Sequence, residues 1–344
     1  MIRLTEEIKT VQVGLGAMGA GIARLMLRRK GLRVVGAVDT LDSMIGKDLG
    51  DVIKAGKNVG VSVSNSLDAV LAATQPDVVL FATVGVLEKI YPQIVPAINA
   101  GADVISTCED LAYPFRRQPQ LAKRIDVDAK DHGATVLGTG SIPGFGFDTF
   151  IILLCSVCED VTKIEATRTT DYSVYGEESL RRWGIGLTLT ADQYKAALAS
   201  RKLQVLEPIM DSLFMVADSL GWELDDTKLT AEPIISKRTG KVSGFRQRTF
   251  GIRQSKELIV LNYACSISPK DDKLEINDSY SIQGTSNINL VIRGGLEGGA
   301  VTVSNMVNMI PHVLNAEPGL KTMKDLMIPR STWGDMASLC KHGI

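Results

Sequence analysis

The sequence predicts an α/β fold, a doubly wound parallel sheet followed by a second α+β domain with an open mixed sheet. Three observations carry that reading. Short apolar strands alternate with helices over the first 146 residues, a glycine cluster separates the first strand from the first helix, and beyond residue 147 the rhythm changes to longer alternating strands.

The strand Val11-Gln12-Val13 runs into Gly14-Leu15-Gly16-Ala17-Met18-Gly19. The helix Ala20 to Leu27 follows, then a strand Arg33 to Val38 that ends at Asp39. Gly14 permits the tight turn, Gly16 lets backbone approach a pyrophosphate, and Gly19 packs the helix closely on the strand. The helix amino terminus offers N–H groups and a favourable dipole to phosphate oxygens. Asp39, twenty positions past Gly19, can accept hydrogen bonds from both ribose hydroxyls. This is a Rossmann-type fingerprint, and it predicts NAD or NADP as cofactor. Asp39 opposes a 2′-phosphate by like charge, and Lys47 and the Arg28-Arg29 pair are the cations that could offset it.

The alternation continues with strand Gly60 to Ser64, helix Leu67 to Thr74 and strand Asp77 to Ala82, so apolar that both faces must be covered. Helix Val86 to Ala100, strand Asp103 to Ser106, helix Pro114 to His132 and strand Thr135 to Leu137 lead to the loop Gly138 to Gly146. Next come helix Phe147 to Val157, strand Lys163 to Thr170 and helices Ala191 to Ala199 and Val205 to Leu220. Segments Glu257 to Ser268, Lys273 to Ile282 and Asn287 to Gly294 alternate as antiparallel strands do. An open sheet has edges and a face to cover, and a homodimer interface would cover them. A helix Ala300 to Leu314 precedes the turn Glu317-Pro318-Gly319; by analogy with two-domain dehydrogenases it returns to the cofactor domain. The expected organisation is thus 1–146 for the dinucleotide, 147–300 for substrate binding and dimerisation, and 301–344 as the returning segment.

With 344 residues, 45% of them hydrophobic, the chain can bury two cores. A formal charge of -1 removes any case for a nucleic-acid partner resting on net electrostatics. No segment approaches the roughly 20 apolar residues of a membrane span, the longest run being Phe150 to Cys155. Met1 to Thr10 is charged and lacks a signal core, so a cytoplasmic protein without a membrane partner is expected. Cys108, Cys155, Cys158, Cys265 and Cys340 make no even disulfide framework and sit in apolar segments, as in a reducing compartment. Cys155 and Cys158 form a C-x-x-C on a predicted buried helix, without a second pair; they read as core, and no metal is expected.

In open parallel sheets ligands bind outside the carboxyl ends of the strands. The segments to inspect are therefore Ala82-Thr83-Val84-Gly85, Ser106-Thr107-Cys108-Glu109-Asp110 and Gly138 to Gly146. Hydride transfer at a carbon bearing nitrogen or oxygen needs a base. Histidines are few: His132 and His342 read as surface groups, and His312 follows Pro311. Glu109, partly desolvated and with its pKa raised, is the better candidate base. The alternative for Glu109 is a carboxylate that, with Asp110, stabilises a helix dipole. Arg168, on the strand opening the second domain, offers a planar fork for a substrate carboxylate; a surface ion pair is the alternative. Phe145, Tyr172, Tyr175 and Trp183 either wall an apolar pocket or fill cores.

The fingerprint, the segment Ser106 to Pro114, the loop Gly138 to Phe145 and the closing Val307-Asn308-Met309-Ile310-Pro311 together resemble the 2,4-diaminopentanoate dehydrogenase family. The resemblance covers most of the chain and extends to the native amine dehydrogenases and, more distantly, to dihydrodipicolinate reductase. It implies NAD(P)-dependent oxidative deamination: the C4 amine of 2,4-diaminopentanoate loses hydride, and water converts the imine to 2-amino-4-oxopentanoate and ammonium. Glu109 sits where the amine dehydrogenases keep their catalytic glutamate. The candidate set is Glu109 for catalysis; Gly14, Gly16, Ala17, Met18, Gly19, Asp39, Thr83 and Thr107 for cofactor; and Phe145, Arg168, Thr170, Tyr175 and Thr302 for substrate. Dihydrodipicolinate reductases carry histidines and a downstream lysine after the matching Glu165-Ala166. This chain has Thr167, Arg168 and no lysine until Lys195, which argues against the reductase reaction. Alternatives are an amine dehydrogenase for simple short-chain amines and ketones, or a nicotinamide-binding sensor without catalysis.

Overall fold

The computed structural model describes residues 7–326 and 335–340, so most of the charged start and His342 lie outside the described residues. The chain divides into two compact units, Met1–Thr149 with Gly298–Ile344, and Phe150–Glu297.

In chain order the elements begin with β1 (Ile8–Val13), α1 (Ala17–Met26), β2 (Leu32–Val38), a single-turn α2 (Leu49–Val52), β3 (Val63–Ser64) and α3 (Leu67–Thr74). β4 (Val78–Phe81), α4 (Leu87–Asn99), β5 (Asp103–Ser106), α5 (Pro119–Asp131), β6 (Thr135–Gly138) and α6 (Thr149–Cys155) follow. Then come β7 (Lys163–Asp171), α7 (Glu177–Arg181), α8 (Ala191–Ala199), α9 (Ile209–Ser219), β8 (Asp226–Ile235), β9 (Val242–Arg253) and β10 (Lys256–Ser266). The last are β11 (Asn277–Gln283), β12 (Ile288–Arg293), α10 (Gly298–Asn308), α11 (Ile310–Leu314) and β13 (Gly319–Lys321).

The first unit is a seven-stranded parallel sheet in the order β13-β6-β5-β4-β1-β2-β3. Every residue of β4, β5 and β6 is buried, which is why their sequences run apolar rather than alternating. α4 contributes one stripe to that core, Leu87, Ile90, Ile94, Ala97 and Ile98. The second unit is a six-stranded mixed sheet, β12-β11-β7-β10-β9-β8, in which only β7 and β10 run parallel.

Several elements depart from expectation for identifiable reasons. α5 starts at Pro119 rather than Pro114, because proline suits the first helical position and a 3-10 turn, Glu109–Leu111, follows β5. The single helix expected over 300–314 is two, with Pro311 in the first turn of α11. β13 adds a short parallel strand beyond Gly319, where only a turn was expected. β8 and β9 carried no strand signal: Pro233 interrupts β8 and Gly244 and Gly251 interrupt β9. β8 is an edge strand, where proline is tolerated. α6 ends at Cys155, so Cys158 lies past the helix.

Candidate active site

Strand register builds the site of the first unit. Val38, Val13, Phe81, Ser106 and Gly138 stand side by side at the carboxyl edge of β2, β1, β4, β5 and β6. The residues that leave this row are Asp39, Gly14, Ala82, Thr107 and Thr139. Each is tied to a neighbouring strand by a backbone bond: Asp39 N–H to Ser64 O, Gly14 to Val38, Ala82 to Val13, Thr107 to Phe81 and Thr139 to Ser106. β1 pairs with β2 on one side and β4 on the other, so the fingerprint turn lies where the strand order reverses.

Glycine is required at two positions of that turn. Gly14 has φ +82°, and a Cβ there would lie 2.5 Å from Ala82 O; a Cβ on Gly19 would lie 1.8 Å from Gly14 O. Gly16 is different. A Cβ there would meet nothing within 4 Å, so the space beside it is open. Gly16, Ala17 and Met18 are exposed, and α1 has no side-chain cap. An open cradle beside uncapped helix N–H groups fits a pyrophosphate.

Asp39 directly follows β2 and is half-buried. Its carboxylate accepts the Leu15 N–H at 2.7 Å and the Leu41 N–H at 2.9 Å, one on each oxygen. It therefore stitches the glycine turn to the loop after β2, and each oxygen keeps a lone pair for a ribose hydroxyl. The cations set against it separate. Arg28 and Arg29 lie past the far end of α1, about 15 Å along a ten-residue helix, too far to meet a phosphate at Asp39. Lys47 is exposed on the loop that leaves Asp39. Thr83 abuts the glycine turn, its Cγ2 lying 2.9 Å from a Gly14 Cβ, and its hydroxyl donates to Gln93.

Glu109 opens the 3-10 turn after β5. The turn is anchored from both sides: Asp110 N–H donates to Gly85 O, and the buried Asp110 carboxylate accepts the Leu87 N–H of α4 and pairs with Arg117 at 3.5 Å. Glu109 Oε2 comes within 3.7 Å of a Cβ placed on Gly85, so the carboxylate lies over the turn that follows β4. The expected partial burial is not met, because the chain leaves Glu109 exposed. This 3-10 turn projects Glu109 outward and buries Asp110 and Leu111. Neighbouring Cys108 is buried, which pushes its thiol up to about 12 and removes it as a nucleophile.

The loop Gly138 to Gly146 is held from beneath. Gly144 has φ +124°, and a Cβ there would lie 2.1 Å from Gly140 N. Fully buried Asp148 accepts the Gly144 N–H at 2.8 Å, and Thr149 Oγ1 lies 3.0 Å from Gly144 O. Asn305 of α10 donates to Gly140 O at 2.9 Å, and Thr302, one turn earlier, comes within 3.7 Å of a Gly140 Cβ. Phe145 is half-buried in this loop. Nothing in the local sequence marks Asp148 or Thr149. Asn305 carried a signal, a polar residue on the otherwise apolar face that continues into Met309. His132 is exposed and bonds to Asp128 O, while His312 is half-buried on α11. Among the described residues no group of three or more His, Cys, Asp or Glu could hold a metal, and no helix is long and apolar enough to cross a membrane.

In the second unit Arg168 corrects the sequence reading. It lies inside β7, where alternation turns Ile164, Ala166 and Arg168 to the buried face, and it is 3% exposed. Its guanidinium pairs with Asp278 at 3.3 Å and donates to Leu296 O, and the same Asp278 oxygen accepts the Leu296 N–H. The fork is committed to an internal carboxylate, not presented for a substrate. Burial pushes the Asp278 carboxyl up, and the Arg168 charge opposes it. Tyr172, Trp183, Phe245 and Tyr263 form a buried aromatic cluster, with Tyr172 and Tyr263 hydroxyls 2.9 Å apart. Tyr175 packs edge-on against Tyr172 yet is 47% exposed, and Thr170 is half-buried on β7. The cluster is core, with Tyr175 at its rim.

Comparison with known proteins agrees with this architecture. The 2,4-diaminopentanoate dehydrogenase C-terminal domain family matches residues 145–342, and the dihydrodipicolinate reductase N-terminus family matches residues 8–104. A 2,4-diaminopentanoate dehydrogenase of Acetoanaerobium sticklandii is 33% identical, over 97% of each chain. An amine dehydrogenase of Streptomyces virginiae is 24% identical over 93% of this chain and 96% of its own. The solved amine dehydrogenase of Mycobacterium smegmatis shares the fold with a TM-score of 0.80, at 24% identity over 95% of this chain and 98% of that one.

Proposed function

The chain belongs to the 2,4-diaminopentanoate dehydrogenase family and is an NAD(P)-dependent oxidoreductase acting on amines, and from that premise we propose that it oxidatively deaminates 2,4-diaminopentanoate at C4. The observation that supports this most is the shared edge: the glycine turn leaves β1 and the Glu109 turn leaves β5, the two strands that flank β4, on the same side of one sheet.

In this reading the N–H groups at Gly16 to Met18 hold the pyrophosphate, Asp39 takes the ribose hydroxyls, and Thr83 and Thr107 flank the dinucleotide. Bound there, the dinucleotide would supply the acceptor for the hydride that leaves C4. Glu109 first takes a proton from the substrate ammonium, so that the nitrogen lone pair can assist hydride loss. Glu109 then gives that proton to solvent, removes a proton from the water that adds to the imine carbon and passes it to the nitrogen, so that collapse gives 2-amino-4-oxopentanoate and ammonium. Phe145, Thr302, Thr170 and Tyr175 are our candidates for contact with substrate. Free thiols at all five cysteines support a cytoplasmic setting. A second copy covering the sheet face that carries Glu165, Arg248 and Val291 would make a homodimer, which light scattering on the purified protein would test.

One observation favours a second substrate class. With Arg168 committed to Asp278, the substrate carboxylate loses its expected anchor, as a simple short-chain amine would require. Steady-state rates of reduced-cofactor formation with 2,4-diaminopentanoate and with short alkyl amines decide between them. A kcat/KM at least tenfold higher for the diamino acid supports the first reading, and the reverse ranking supports the second.

A further inference from the structure

Gln12 sits in the middle of β1, between Val11 and Val13, and is fully buried. Its side-chain amide turns under the glycine turn: Nε2 donates to Val13 O and to Gly14 O, each at 3.1 Å. The same nitrogen lies 3.1 Å from a Cβ placed on Gly19, so the amide fills the seam between the end of β1 and the first turn of α1. Its oxygen, Oε1, is buried without a hydrogen-bond partner among the described residues.

The arrangement trades one unmet acceptor for another: a methionine of much the same volume would avoid burying Oε1 but would leave the buried Gly14 O without its donor. What the amide accomplishes is directional. Gly14 N–H is held by Val38 O, Leu15 N–H by Asp39, and Gly14 C=O by Gln12. With these groups turned inward, the backbone from Gly16 onward begins a helix that has no side-chain cap.

We propose that Gln12 is a positioning residue of the dinucleotide clamp. By fixing the Gly14 carbonyl inward beneath Gly19, it presets the turn in the form that presents the amino terminus of α1 to a pyrophosphate. The effect belongs to binding of the diphosphate, not to the chemical step.

Gln12→Met removes both donors at similar volume. Binding of NAD and of ADP-ribose to the purified full chain is followed by intrinsic fluorescence, alongside a thermal melt and steady-state kinetics. The dissociation constants for both ligands are expected to rise together by about tenfold, the worth of one hydrogen bond at about 1.4 kcal/mol. The loss falls on KM for the cofactor more than on kcat, and the melt stays cooperative. Gln12→Glu, which keeps the shape but sets an acceptor against two carbonyls, should weaken both ligands further and serves if the Met variant does not fold. Unchanged affinity for both ligands in a folded variant overturns the proposal. So does failure of both variants to fold, which would make Gln12 a determinant of the core.

Discussion

Glu109 and Arg168 are both charged residues on or beside a strand of a sheet core, and their environments are opposite. Glu109 comes three residues after β5 ends and is exposed. Arg168 is the sixth residue of nine in β7 and is buried against Asp278. The difference is one of phase. Past a strand's carboxyl end the backbone is free to turn a side chain toward a ligand, whereas inside a strand the two-residue period decides the face. A charge on the buried face must be neutralised within the protein. Distance past the strand end, rather than residue type, separates the exposed carboxylate from the structural guanidinium.

The sharpest test of that contrast is Glu109→Gln, which keeps size and removes the base. Turnover should fall by about 10² to 10⁴ with the melting temperature unchanged; near-normal turnover would move the base elsewhere. Arg168→Ala should do the opposite. Stranding Asp278 in the core should cost about 3–5 kcal/mol in denaturant unfolding, and Arg168→Met with Asp278→Leu should recover most of it. A rise in KM confined to the diamino acid would return Arg168 to substrate binding.

A third test uses the other end of β5, where Asp103 is buried and accepts the Thr135 N–H at 2.7 Å. Burial raises its carboxyl from 3.8 to about 7, the Thr135 N–H opposes this and the Asp77 charge adds to it. The folded chain thus holds this proton more tightly than the unfolded chain does. The stability from this group is complete below about pH 4 and is lost as pH rises through 7. Asp103→Asn should therefore gain on the natural chain across that range and be more stable by roughly 2–4 kcal/mol at pH 8. A pH-independent difference would deny the raised pKa. The smallest effect is expected of Asn305→Ala, which frees Gly140 O: about 1 kcal/mol in unfolding, with a few-fold rise in KM for the amine. Loss of stability alone would leave the Gly138 to Gly146 loop without a positioning role for Asn305.

The parallel half was legible because its signals are local. Glycines with positive φ, a carboxylate at a strand end and apolar runs bounded by turns each dictate structure within a few residues, and β5 and α3 fall where the sequence places them, as does α8 in the second unit. What escaped depends on partners distant in sequence. Nothing near Arg168 announces Asp278, 110 residues on, and nothing near Gly140 announces Asn305, 165 residues on. Gln12 is intermediate. A lone amide in an apolar strand says that it must find partners, but only the fold says that they belong to the glycine turn.

The partition of the first unit has a consequence for how the chain is made. β6 is an open edge until β13 pairs with it, and the Gly138 to Gly146 loop lacks Asn305 until α10 exists; the whole of Phe150–Glu297 is synthesised in between. At about 5–20 residues per second, β6 waits roughly ten to forty seconds on the ribosome for its last neighbour. An unpaired strand edge over that interval is a template for aggregation. Nascent chains stopped near residue 300 should therefore be the species most dependent on chaperones.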